Sequence, residues 1–150
     1  MERTPIIIDT REIEPYSFDP VRVVTQRRAL PAGDYSVAGL EGRVAVERKS
    51  LDDFVTTVIR SKDRFNRELA KLRTCEAACV VVEGSLADVF ARNYRGGAHP
   101  ASVFGAVVSI ILDQGVPVFF CSDRQIACRF TQDYLTRFHQ RAMENPDAKE

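Results

Sequence analysis

The most restrictive features of this sequence are the ones it lacks. No apolar run approaches the roughly 18–20 residues that a membrane-spanning helix needs, so no transmembrane segment is expected. Met1-Glu2-Arg3-Thr4-Pro5 leads straight into an apolar strand, without the order of charges and apolar residues found in a secretory signal. Cysteines stand at 75, 79, 121 and 128 with no Cys-x-x-Cys spacing, and neither His99 nor His139 completes a zinc-finger pattern. They read as reduced, mostly packed thiols of a cytoplasmic protein. Formal net charge is zero, with 21 basic and 21 acidic residues. That balance argues against bulk, charge-driven association with polyanions, but not against a local basic face. Internal repeats and low-complexity stretches are absent.

What is present fits one ordinary globular domain of 150 residues, 45% hydrophobic and 28% charged. Ile6-Ile7-Ile8 is a short buried strand ending at Asp9, and Val21, Val23 and Val24 mark a second strand beyond a polar loop over 11–19. Tyr35 to Val37 and Arg43 to Arg48 form an antiparallel hairpin around the Gly39–Gly42 loop. From Ser50 the period lengthens. Leu51, Phe54, Val55, Val58 and Ile59 have helical spacing, with Ser50 as cap and Asp53 at the capping-box position. Phe65, Leu69 and Leu72 mark a second amphipathic helix. The continuous apolar run Ala78 to Val82 reads as a strand buried on both faces. A short helix over Leu86 to Phe90 comes next, then a Gly-rich basic loop, a helix from Pro100 to about Leu112 and a strand after Gly115. A final helix is capped by Asp123. Alternating strands and helices predict an α/β sandwich with a central mixed sheet.

The run Val44-Ala-Val-Glu-Arg-Lys-Ser-Leu-Asp-Asp53 carries the chemistry. Residues two apart in a strand share a face, so Glu47 and Lys49 point the same way, beside Ala45. A carboxylate can hold a divalent cation, while a neighbouring ammonium positions a water and stabilises charge on phosphate. Asp9, Glu12, Asp34, Glu47 and Asp53 all fall at strand ends or turns. If the first strand, the hairpin and the helix start converge, Asp9, Asp34 and Glu47 share one site for a hard cation such as Mg²⁺. The Arg48 carbonyl is then a further ligand. Arg11 and Arg48 can make forked contacts with phosphate or with these acids. Each residue also has an ordinary reading: Asp9 as a turn cap, Gly33-Asp34 as a turn pair, Glu47 with Lys49 as a surface pair. Residues 60–73 hold six basic side chains against Asp63 and Glu68, a solvated face or a phosphate-binding one.

Taken together, these residues resemble the XPF/Hef family of structure-specific DNA endonucleases. That family's nuclease domain carries Gly-Asp, a variable gap, Glu-Arg-Lys, three residues, then Asp. Here the pattern is Gly33-Asp34, a gap of twelve, Glu47-Arg48-Lys49, three residues, then Asp53. The family's upstream Asp-x-Arg-Glu appears as Asp9-Thr10-Arg11-Glu12, and Arg64 stands where the family places an arginine after the first helix. The resemblance implies a restriction-endonuclease-like α/β/α sandwich over residues 1–140, with 141–150 a flexible tail. It also implies Mg²⁺- or Mn²⁺-dependent hydrolysis of branched, forked or flapped DNA, or of single-strand/double-strand junctions, in repair or recombination. Under it Asp34 and Glu47 are the central ligands, assisted by Asp9 and Glu12. Lys49 orients the water, Arg48 braces the site, Asp53 supports it, and Arg11 and Arg64 touch the DNA backbone. In a prokaryotic host the protein would then associate with the nucleoid. Family members usually continue into a tandem helix-hairpin-helix module, for which these 150 residues leave no room. The apolar stretch from Ala101 to Ile111 and the final aromatic helix are expected to cover the sheet and to supply a homodimer contact. The alternative is a non-catalytic DNA-binding or scaffold subunit on the same fold, which would be expected to have lost the acids or the lysine.

Overall fold

A computed structural model of the chain describes residues 2–145. Six strands form one mixed sheet: β1 (Thr4–Ile8), β2 (Val23–Arg27), β3 (Tyr35–Val37), β4 (Val44–Ser50), β5 (Ala77–Glu83) and β6 (Val118–Phe120). Their spatial order is β2-β1-β3-β4-β5-β6. The β1–β3 and β3–β4 pairs are antiparallel, while β1–β2, β4–β5 and β5–β6 are parallel. The parallel β4–β5 pairing needs a crossover, and α1 (Leu51–Arg60) with α2 (Lys62–Leu72) provides it. The remaining helices are α3 (Leu86–Phe90), α4 (Pro100–Asp113) and α5 (Arg124–Glu144).

Strand alternation sorts the core into two layers. Ala45, Val80 and Val82 pack with Phe54, Val58, Phe65, Leu69, Val103 and Ile110 under α1, α2 and α4. Val44, Val46, Cys79 and Val81 face the other way, onto Tyr16, Ala127 and Leu135 under α5. The sheet is therefore sandwiched between helical layers, as the sequence pattern predicts. β2 lies at one edge with most of its residues exposed. All four cysteines are free thiols.

Helix starts follow the sequence. Ser50 accepts a hydrogen bond from the Asp53 backbone N–H at 3.1 Å, capping α1. Ser85 and Asp88 form a reciprocal capping box on α3, and the Asp123 side chain caps α5. Two local expectations need adjustment. The loop over 11–19 is polar in composition yet sends Tyr16 into the core, 4% exposed. Helix α5 continues to Glu144, so the first four residues of the expected tail are helical, while 146–150 lie outside the described residues. No helix among the described residues is long and apolar enough to cross a membrane.

Gly33 fixes the turn that feeds β3. Its φ is +74°, and a Cβ there would meet the Val46 carbonyl oxygen at 3.0 Å and the Ala45 Cβ at 3.1 Å. Any side chain pays both left-handed strain and a clash with β4. Gly33→Ala is therefore predicted to lower stability by at least ~1–2 kcal/mol, read as a lower urea midpoint. Gly42→Ala, with nothing within 4 Å of the added carbon, serves as the control and should change little. Equal midpoints for both variants would contradict this account of the turn.

Candidate active site

The site is built where β4 ends. The Asp34 backbone N–H donates to the Val46 carbonyl at 2.8 Å, and the Asp34 carbonyl accepts from the Asp9 N–H at 2.9 Å. The Gly33-Asp34 turn is thus sewn to both β4 and β1. The Asp34 side chain accepts from the Arg48 backbone N–H at 2.8 Å. Glu47 is 8% exposed, and its carboxylate lies 3.8 Å from Lys49 Nζ. Lys49 Nζ also sits 5.4 Å from the Phe65 ring centroid, so α2 backs the ammonium. Asp34, Glu47 and Lys49 open onto one polar cavity of about 290 Å³, shared with Arg11, Glu12, Asp53, Glu68 and Lys71.

The two central acids are poorly compensated. Burial first, then the charges of Glu12 and Asp9, push the Asp34 carboxyl up to about 7, against the Arg48 N–H and Lys49. Burial and the facing Asp34 raise Glu47 well above the usual carboxylate range, although Lys49 opposes this. Both central acids thus favour keeping a proton even with Lys49 beside them.

Arg48 points to the other side of the sheet. Its Nε donates to Glu83 at 2.7 Å and its Nη1 to Glu12 at 3.2 Å. Tyr16 donates its hydroxyl to the same Glu83 oxygen at 2.6 Å, and Tyr35 donates to Glu12 at 2.7 Å. The guanidinium also lies 4.9 Å from the Tyr16 ring centroid. Both phenols are held far above their ordinary range, mainly by burial and by these carboxylate partners. Arg48 is a clasp between the loop after β1 and the end of β5.

The structure distributes the sequence candidates unevenly. Asp34, Glu47, Lys49, Asp53, Glu12 and Arg11 all line the cavity, as Arg48 does at the strand end. Asp9 does not. It is fully buried, and its oxygens accept from Leu30 N–H at 2.8 Å, Arg11 N–H at 3.2 Å and Arg11 Nε at 2.7 Å. Burial alone would raise its pKa, but these donors outweigh it and hold the carboxyl below the ordinary value. Of the expected three acids, Asp34 and Glu47 open onto the cavity, while the Asp9 carboxylate is held by its backbone and Arg11 donors. Asp9 is a turn staple of the Asx kind. Consistent with this, no group of three or more His, Cys, Asp or Glu among the described residues is arranged around a common metal position. Asp34 with Glu47 still suits a cation that keeps most of its waters and takes one or two protein carboxylates. Arg64 is exposed on α2 and does not line the cavity.

Sequence reasoning missed Tyr16, Glu83 and Glu68 as site residues. Glu83 had a readable signal. It ends a fully apolar strand parallel to β4, in register opposite Ser50. Tyr16 had none, because it sits in a loop of polar composition. Glu68 was hidden in a basic run, one position before the buried Leu69.

Removing the clasp should be costly, because Glu12 and Glu83 would both lose their cation in a partly buried setting. Arg48→Ala is predicted to lose roughly 2–3 kcal/mol by chemical denaturation. Arg48→Lys should recover only part of this, since one ammonium cannot reproduce a fork bridging two carboxylates. A loss under about 0.5 kcal/mol for Arg48→Ala, the range of an ordinary surface substitution, would remove the clasp from the account.

Known proteins place this geometry. A family model described as the ERCC4 domain matches residues 8–134. A protein of Methanocaldococcus jannaschii named as an ATP-dependent RNA helicase is 33% identical over 120 residues, covering 80% of this chain and 14% of that protein. The chain thus corresponds to a small part of that relative. XPF from Aeropyrum pernix superposes with a TM-score of 0.69 at 23% identity, covering 94% of this chain and 67% of that one. XPF from the same organism in complex with DNA gives a TM-score of 0.69 at 25% identity, covering 93% and 66%. The mixed sheet between helical layers is therefore the restriction-endonuclease-like fold of the XPF nuclease domain. Because the family match begins at the end of β1, runs into α5 and takes in every residue lining the acidic cavity, this chain belongs to the ERCC4 domain family of XPF/Hef-type nuclease domains.

Proposed function

We propose that this chain is a divalent-metal-dependent DNA endonuclease acting on branched, forked or flapped DNA. The observation that carries this reading is the Glu47–Lys49 pair beside Asp34, exposed to one polar cavity in a chain of this family. Asp34 and Glu47 would hold Mg²⁺ or Mn²⁺, with the Arg48 carbonyl as a further oxygen. The bound ion would polarise the scissile phosphate and lower the pKa of water. Lys49 orients the attacking water and stabilises charge developing on the phosphate. Asp53, at the start of α1, supports the site from the cavity wall. Arg11, 75% exposed at its side chain, contacts the DNA backbone on one side, and Arg64 on the other. Asp9 and Glu12 hold the scaffold through the hydrogen bonds above.

A homodimer is part of the same reading. On α4, Val103, Val107 and Ile110 are buried, whereas Val108, Ile111 and Leu112 are exposed and Phe104 packs against the exposed Phe90 of α3. An exposed apolar face of this kind fits a second copy.

The test is cleavage of end-labelled flap, fork and plain duplex DNA with Mg²⁺, Mn²⁺ or EDTA. Asp34→Ala and Glu47→Ala should each abolish cutting while keeping the fold. Lys49→Ala should lower kcat by roughly 10²-fold or more while changing KM little, as expected for a group acting on transition-state charge. Cutting by Asp34→Ala at the wild-type rate would eliminate the site. No cutting by folded wild-type protein would favour a scaffold role.

The strained acids also predict a pH dependence without metal. An unfolded Asp titrates near 3.9, whereas folded Asp34 titrates near 7. Between those values the folded state binds more protons, so stability falls as pH rises. In EDTA the protein should be more stable at about pH 5.5 than at about pH 8 by roughly 1–3 kcal/mol. Asp34→Asn, which keeps an acceptor for the Arg48 N–H, should flatten that slope. Mg²⁺ should raise stability at the higher pH in wild type alone. Stability that rises with pH in EDTA would contradict the electrostatic description.

A further inference from the structure

Helix α2 has two unlike faces. Phe65, Leu69 and Leu72 are buried against the sheet. Arg64, Arg67 and Lys71, at spacings of three and four, form a single exposed stripe on the outer side. Glu68 lies between the two faces and turns into the cavity. Its spacing to Arg64 and Lys71 would permit helical ion pairs. Yet none of the ion pairs among the described residues involves a side chain of α2. The three cations are therefore available to an external anion. Lys71 lines the same cavity as Asp34, Glu47 and Lys49, so the stripe runs out of the site itself. From residue 64 to 71 a helix advances about 10 Å, the axial length of about three phosphates of one DNA strand.

We propose that the outer face of α2 is a track for the phosphate backbone of one DNA strand leading into the cavity, with Arg67 and Lys71 as phosphate contacts. The proposal rests on the nuclease reading for its substrate and extends it to residues to which that reading gives no role. Lys71 contacts the phosphate nearest the site, and Arg67 one a turn further out. Charge complementarity selects a polyphosphate. Continuity with the cavity selects the strand that is cut over an acidic protein partner.

The test is fluorescence anisotropy of labelled flap DNA with the full chain in EDTA over a series of salt concentrations, so binding is read without hydrolysis. The double variant Arg67→Gln/Lys71→Gln should bind about tenfold more weakly at low salt. Its slope of log K against log salt should fall by roughly 1.4 to 1.8, corresponding to two lost phosphate contacts. Arg137→Gln/Arg141→Gln changes the net charge equally on α5, across the sheet, and should leave the slope unchanged. The proposal is overturned by an unchanged slope in the α2 variant, by an equal loss in the α5 control, or by wild-type protein that does not bind DNA. It is also overturned by a Glu-rich peptide of matched charge that binds as tightly as DNA through the same residues. An α2-dependent slope in a protein that cuts nothing with Mg²⁺ would leave the track standing and remove the catalytic reading.

Discussion

The two-residue alternation of β4 is the constraint on which the rest of the molecule depends. Ala45, Glu47 and Lys49 fall on one face of the strand, and Val44, Val46 and Arg48 on the other. One strand end thus presents a carboxylate and an ammonium to a polar cavity while sending a guanidinium into a carboxylate clasp behind it. A slip of one residue in register would exchange these faces. It would bury Lys49 among Tyr16 and Glu83 and turn Arg48 into the site. Seven register pairs to β5 and the Gly33 turn against Val46 prevent that slip.

This arrangement concentrates like charge. Glu47 is buried and Asp34 partly buried, each raises the other's proton affinity, and both favour protonation as a result. Such a pair destabilises the fold at neutral pH unless something positive joins it. The surroundings resist relaxation. Asp9 staples the chain at Leu30 and Arg11, Arg48 ties Glu12 to Glu83, and Gly84 lets β5 approach the start of α1, where a Cβ would lie 2.9 Å from that of Leu51. Rigid supports around an under-compensated anionic pair are what a cation-binding site requires. The same supports explain why the acids do not swing apart into water.

Much of this was legible in the sequence because it is local. The Glu-Arg-Lys run followed by a Ser cap dictates a strand with two functional faces passing into a helix. The apolar run of β5 reveals a strand covered on both sides. Long-range polar pairing was not legible. Asp9 reads equally well as a ligand or as a turn cap, and the three donors that its oxygens meet come from residues that no spacing singles out. Tyr16 and Glu83 are 67 residues apart and join through a single hydrogen bond that no periodicity signals. The basic segment over 60–73 could be recognised, but not its division into a face toward the cavity and a face toward solvent, which depends on how α2 seats Phe65, Leu69 and Leu72.

Under the proposed function, Asp34 of the turn before β3 and Glu47 of β4 share one divalent cation. The most direct test is anomalous diffraction from crystals soaked in Mn²⁺, compared between the wild type and Glu47→Gln. One strong peak is expected within bonding distance of both Asp34 and Glu47, much weakened in the variant. A peak centred on Asp9 instead, or no peak in this cavity under conditions that support cleavage, would contradict it.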